Sequence, residues 1–135
     1  MRFSTLVLVL TIFVSPVISQ QTTTDSREIT PEIISAISKG DAASLSNFFN
    51  ENIELVIGTT NDVFSKKQAT GIVTDFFKRN KVSSFTVLHK GVRENAAFMI
   101  CTMKSGDTGF RIYILVRQVS NRQLIQQLRI ESTND

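Results

Sequence analysis

His89, Cys101 and Tyr113 are each the sole member of their residue type in the 135-residue chain, and that scarcity limits the chemistry open to it. A lone histidine rarely holds zinc, which takes several His or Cys ligands. A lone cysteine forms neither an intrachain disulfide nor a cysteine-rich metal site. No metal centre and no bound cofactor are expected. His89 can act as a base, or orient a ligand, if it is buried and neutral. Alternation along Ser84–Lys90 puts it on one row with Phe85 and Val87, facing inward. No second titratable group stands beside it there, so a hydrogen-bonded histidine at a strand end is the competing reading. Cys101 reads as a small core residue. As a nucleophile it would need a base, and the only histidine lies on another strand.

Gln126 stands in a row that is otherwise apolar, Leu124, Leu128 and Ile130. An amide buried there needs backbone, water or ligand partners, because burial without them costs about 1–3 kcal/mol. Gln126 therefore marks a pocket, lined with His89, Phe85, Phe110 and Phe76, as well as fitting a structural role. Arg111, Tyr113, Arg117 and Arg129 fall on the opposite, outward row. Arginine and tyrosine over a partly apolar face suit an interface, and equally a solvated face on which long side chains cover apolar surface. Lys66 and Lys67 lie in the first turn of a helix, where they oppose its dipole; a solvated pair is the plainer reading than an anion site. Asp75 and Glu54 are the carboxylates nearest the expected core elements, and the four long strands contain no mid-strand acid.

These residues are positioned by an element order that the chain spells out locally. Thr30-Pro31-Glu32 starts a first helix, with Ile29 and Ile34 as a hydrophobic staple and Gly40 as a left-handed stop. Asp41 caps a short second helix with Leu45, Phe48 and Phe49 on its inner face. Ile53–Ile57 reads as a strand, Gly58–Asp62 as a turn and Val63-Phe64 as a short return strand. Ser65 and Gln68 form a capping box for a third helix, with Ala69, Ile72, Val73, Phe76 and Phe77 at helical spacing and Asn80 as its stop. Four strands follow, Ser84–Lys90, Ala96–Lys104, Gly109–Val119 and Gln123–Glu131, joined by hairpin-length turns. Phe110, Ile112, Ile114 and Val116 should face the helices, as should Leu124, Gln126, Leu128 and Ile130. The second strand is apolar on both rows and its facing is ambiguous.

Upstream, Arg2, the apolar run Leu6–Val14, Pro16 and Val17-Ile18-Ser19 have the layout of a secretory signal peptide, residues 1–19, cleaved before Gln20. The run is far shorter than the ~20 residues of a membrane span, and no cysteine stands at the cleavage point to make a lipoprotein. The expected product is an exported, soluble, periplasmic or secreted protein. Residues 20–28 are polar and read as a disordered tether, 29–131 as one domain and 132–135 as a tail. Without Arg2 the balance is 14 basic against 12 acidic residues, scattered and without an aromatic-interleaved stripe, which does not point to nucleic acid.

The element order, together with Phe48-Phe49-Asn50, Phe64-Ser65-Lys66, Gln68-Ala69, Asp75-Phe76-Phe77, Leu88-His89-Lys90-Gly91, Phe110-Arg111-Ile112-Tyr113 and Leu124–Glu131, resembles an exported Bacteroidota family of unknown function. That family lies within the nuclear-transport-factor-2-like superfamily. The resemblance implies an α+β cone: three helices packed in a curved, mainly antiparallel sheet, in the order ααββαββββ. It implies no particular activity, since fold does not grant function. Members of the superfamily often pair through the outer side of the sheet, so a homodimer through Arg111, Tyr113, Arg117 and Arg129 is one expectation. Enzymes of the superfamily use an inward carboxylate with a hydrogen-bond donor, which the row assignments do not reproduce. The sequence thus weighs toward a non-catalytic binding or interaction module with a small apolar cone pocket, a sheet-face interface, or both. Its partners would be a small hydrophobic ligand, a second copy or an envelope protein. The alternative is a small cofactor-independent enzyme, isomerase- or dehydratase-like, acting on a hydrophobic substrate with His89 as base and Gln126 as donor.

Overall fold

The computed structural model describes residues 11–19 and 25–133. Its elements are α1 (Pro31–Lys39), α2 (Ala42–Ser46), β1 (Phe49–Ile57), β2 (Thr60–Ser65), α3 (Lys66–Arg79), β3 (Ser84–Arg93), β4 (Ala96–Ser105), β5 (Thr108–Val119) and β6 (Arg122–Ser132). The six strands form one curved sheet in the order β2-β1-β6-β5-β4-β3. Every pair is antiparallel except β1 with β6, which is parallel. The architecture is the expected α+β cone in the expected order. β1 starts earlier than Ile53: Phe49 pairs with Ile125 and is buried as the first residue of a strand, not on the face of α2. Only Gly58 and Thr59 separate β1 from β2, a tighter turn than the polar run Gly58–Asp62 suggests. Among the described residues no helix is long and apolar enough to cross a membrane.

Local chemistry sets the helix ends. The Thr30 side chain accepts from the Ile33 amide and Pro31 stands at the first helical position of α1. Gly40 ends it at φ 64°. The Gly40 amide donates to the Ile37 carbonyl at 3.1 Å and the Asp41 amide to that of Ala36 at 2.9 Å, so carbonyls orphaned at the helix end are satisfied. A Cβ at Gly40 would stand 2.9 Å from Phe77 Cδ1, so glycine is required there both by backbone angle and by the approach of α3. α3 carries the full capping box between Ser65 and Gln68. One core cluster joins Ile33, Ala36 and Ile37 of α1, Leu45 of α2 and Ala69, Val73, Phe76 and Phe77 of α3 to the inner face of the sheet.

That inner face is made of Ile53 and Leu55; Ala97, Met99, Cys101 and Met103; Ile112, Ile114 and Val116; and Ile125, Leu128 and Ile130, all buried. Strict alternation would not produce it. In β3 the register slips after Val87: Val87 faces Cys101, whereas His89 faces Ile100. In β6 it slips again: Ile125 faces Val116 and Gln127 faces Leu115, leaving Gln126 without an opposite number. Each slip is a β-bulge, and each inverts the side on which later residues emerge. His89 is therefore exposed and does not share the inward row of Phe85 and Val87. Leu124 leaves the inner row and Gln126 sits at the bulge itself, while Gln123 takes an inner position. The doubly apolar β4 turns Met99 and Cys101 to the core and Phe98 and Ile100 outward.

Gln123 is 7 % exposed and one of two buried polar residues, with Ser46, among those described. Its Oε1 accepts from the Thr30 amide at 2.9 Å and its Nε2 donates to the Glu28 carbonyl at 2.5 Å. The pair of bonds fixes the chain entering α1 onto β6. Asp25 and Arg27 form an ion pair at 2.8 Å, the Glu28 amide donates to the Asp25 carbonyl, and Gln123 holds Glu28. Residues 20–24 lie outside the described residues, as do residues 1–10 and 134–135. Thr11–Ser19 have no regular secondary structure and are exposed.

Gln123→Ala should lower stability by about 1–3 kcal/mol in urea denaturation, because it strands a part-buried amide and a part-buried carbonyl together. An unchanged midpoint would show that the α1 entry does not depend on this anchor. Burial pushes the Cys101 thiol from its ordinary 9.0 up to about 12. The folded protein thus keeps a proton that the unfolded chain releases. This contribution to stability is whole below pH 9 and declines as pH rises toward 12. Cys101→Ala should lack that part of the alkaline decline, measured as the difference between the two proteins' stability–pH curves. In the native protein the thiol should also react with a thiol reagent only as the chain unfolds.

Candidate functional site

Paired residues of adjacent strands share a face, so the registers lay out the outer surface of the sheet row by row. Arg93 of β3, Ala96 of β4 and Arg117 of β5 form one row. Gly91, Phe98, Leu115, Gln127 and Glu54 form the next. His89, Ile100, Tyr113, Arg129 and Val56 follow, and then Thr86, Thr102, Arg111 and Glu131. Arg111, Tyr113, Arg117 and Arg129 thus lie on one face, with half-buried Phe98, Ile100 and Leu115 among them. Arg129 Nη1 bonds Glu131 Oε1 at 3.2 Å and Arg117 Nη1 bonds Asn95 Oδ1 at 3.3 Å. The His89 ring lies 5.5 Å from that of Phe98, tilted by 51°. The Phe98 ring in turn covers Gly91, where a Cβ would fall well inside van der Waals contact with it.

On the other side of the sheet a concavity lies at the end of the core. A cleft of about 670 Å³ opens between α3, the β1–β2 turn, the start of β5 and the end of β6. Ile72, Phe76, Phe110 and Ile130 give it an apolar floor, and Asp75, Arg79 and Asn80 stand in its wall. Phe76 packs edge-on against Phe110, their ring centroids 5.2 Å apart at 85°, which holds both rings in place. Arg79 Nη2 bonds Asp75 Oδ2 at 2.6 Å one helical turn away, and both side chains are exposed. Gly71, in the middle of α3, also lines the cleft, and a Cβ built on it meets nothing within 4 Å.

Of the five residues expected to line one pocket, Phe76 and Phe110 meet in this cleft. Phe85 is half-buried against the core elsewhere. His89 is on the outer face, and Gln126 accepts a 3.2 Å bond from Asn50 Nδ2 at the bulge. A base–donor pair of His89 and Gln126 across one pocket is not formed, because the two bulges carry both residues away from the inner rows. Glu54 is exposed on the outer face, and Lys66 and Lys67 are exposed at the start of α3. Among the described residues no three of His, Cys, Asp or Glu gather as a metal site would require. Arg79 and Asn80 escaped sequence reasoning because they follow the apolar stripe of α3 and read as a helix end. Arg93 escaped because β3 was expected to stop at Lys90.

With this geometry, comparison with solved structures places the chain. A protein described as a DUF4783 family protein from Bacteroides ovatus matches at 33 % identity and a TM-score of 0.76, covering 81 % of this chain and 99 % of that one. One from Bacteroides fragilis matches at 34 % identity and a TM-score of 0.73, covering 78 % and 99 %. An NTF-2 like protein of unknown function from Silicibacter pomeroyi shares the fold at 12 % identity and a TM-score of 0.54, covering 75 % and 87 %. No curated protein sequence matches the chain. Residues 30–131, from the cap of α1 to the penultimate residue of β6, match the family described as Domain of unknown function (DUF4783), and the chain belongs to that family, with a nuclear-transport-factor-2-like fold.

Proposed function

We propose that this chain is an exported, non-catalytic binding module that takes a small, largely apolar molecule in the cleft between α3 and the end of the sheet. The observation that carries the reading is Gly71. Glycine inside a helix costs about 0.8–1.0 kcal/mol relative to alanine. Among the described residues nothing repays that cost: its φ is not in the left-handed region, and no neighbour would clash with a methyl group. What a side chain there would do is intrude on the cleft floored by Phe76 and Phe110. A helix that gives up stability to keep a concave, mainly apolar floor open is the pattern of a binding site.

The wall chemistry fits a neutral ligand. Asp75 and Arg79 satisfy each other's charge, while Arg79 keeps N–H groups and Asn80 keeps its side-chain oxygen for an edge that bears hydroxyls or carbonyls. Export rests on the leader's layout. It is supported by Ile12, Phe13, Val14, Val17 and Ile18, which are exposed and so are apolar residues that the domain does not use for its core. The absence of catalysis is inferred from the polar groups around the cleft: a self-paired carboxylate and guanidinium supply no free base.

Gly71→Ala should raise stability by about 1 kcal/mol in denaturant titration. Gly71→Leu should intrude on the cleft over its apolar floor and abolish binding. The check is amide chemical shifts in a titration with uncharged amphiphiles, n-octyl glucoside first. Saturable shifts should centre on α3 and the start of β5 in the native protein and disappear in Gly71→Leu. Shifts that Gly71→Leu leaves untouched, or none at any attainable concentration, would refute the reading.

A further inference from the structure

On the side of the sheet opposite the cleft, the row Arg93–Ala96–Arg117 and the row Gly91–Phe98–Leu115 enclose a second depression of about 590 Å³. Phe98, Leu115 and Ala96 form its floor and the two arginines its rim. Its shape follows from Gly91. With no side chain there, the Phe98 ring lies down toward β3, tilted against His89, and leaves a shallow trough alongside Leu115. The trough is positively charged. No acidic residue lines it, and among the described residues neither arginine is in an ion pair; Arg117 has only the amide oxygen of Asn95. Glu94, next to Arg93 in the turn between β3 and β4, is exposed and does not line the trough.

Strand spacing puts the backbones of Arg93 and Arg117, two strands apart, about 10 Å from each other. Two long side chains at that separation can close on one carboxylate placed above Ala96, each with a planar fork suited to it. The apolar strip then continues without interruption along β4 and β5, from Ala96 through Phe98 and Leu115 to Ile100 and Tyr113. From the arginine row to the Tyr113 row is four residues of strand, about 13 Å, close to the extended length of a chain of about ten carbons.

We propose that this corner of the outer face binds a linear anionic amphiphile, a medium-chain aliphatic carboxylate, with its head between Arg93 and Arg117 and its chain over Phe98 and Leu115 toward Tyr113. Charge decides for this occupant over a second copy. The face carries Arg93, Arg111, Arg117 and Arg129 against Glu54 and Glu131, and two such faces brought together oppose like charges across the contact. The site is independent of the cleft beside α3, which lies on the other side of the sheet.

The test is a titration of the native protein with decanoate below its micellar concentration, followed by calorimetry and amide chemical shifts, with decanol and acetate as separate arms. Saturable binding is expected, with shifts at Phe98, Leu115 and Tyr113. Decanol should bind at least tenfold more weakly and acetate without measurable shifts. Arg93→Gln with Arg117→Gln should weaken decanoate at least tenfold with the melting temperature unchanged. Leu115→Gln, a change at a half-exposed position, should weaken it comparably and tests the floor separately from the rim. Equal affinity for decanoate and decanol would overturn the proposal. So would shifts confined to Phe76 and Phe110, which would assign the amphiphile to the other cleft. A dimer in light scattering that Leu115→Gln dissociates would overturn it in favour of a second copy on this face.

Discussion

The phase of side-chain alternation in the sheet is the constraint on which everything else rests. Three helices with strongly apolar faces require one uninterrupted apolar surface, and twelve strand residues from Ile53 to Ile130 supply it. Two of the four strands that contribute most of the sheet cannot do so by alternation alone. A bulge after Val87 and another at Gln126 shift the pairing by one residue each. Each bulge gives up regular ladder pairing locally. In return Phe85 and Val87 face the core before the first slip, and Leu128 and Ile130 face it after the second.

The same two slips determine what the outer face carries. Once β3 has changed phase, His89, Gly91 and Arg93 emerge outward, alongside Ile100, Phe98 and Ala96. The outer face is therefore amphipathic because of an adjustment that serves the inner one. Gln123 is part of this logic. The β6 bulge lets an amide occupy an inner position at the strand's start, where it takes up the backbone groups of Glu28 and Thr30 as the chain enters α1. A buried amide with both ends satisfied stabilises a unique docking of α1, whereas one left open would weaken it. The two concave features then fall on opposite sides of one sheet, separated by a core with no buried side-chain polar atom unpaired among the described residues.

Most of the architecture was legible in the residues because its signals are local. The Ser65–Gln68 capping box, the Thr30-Pro31 start and the Gly40 stop each act within a few residues, and the structure has all of them. The candidate site was legible only in part. Phe76 and Phe110 meet because one lies on a helical stripe and the other on a strand whose phase is undisturbed. His89 and Gln126 were misplaced because period-2 counting assumes no inserted residue, and nothing in Val87-Leu88-His89 or Ile125-Gln126-Gln127 marks an insertion. Phe49 was assigned to the wrong element for a related reason: its burial comes from pairing with Ile125, 76 positions away, and not from the helix before it.

By itself the sequence determined the helices and their ends, the order of elements and the strand-rich second half. All of these depend on residue type and on neighbours close along the chain. Only the tertiary structure decided which side of the sheet each residue occupies beyond a bulge, and hence that His89 is outside, that Gln123 and not Gln126 is the buried amide, and that arginines flank an apolar trough. Bulges arise where two strands must both pair with each other and turn apolar side chains to the same helices. That requirement is set by residues far apart in the chain, and no local pattern states it.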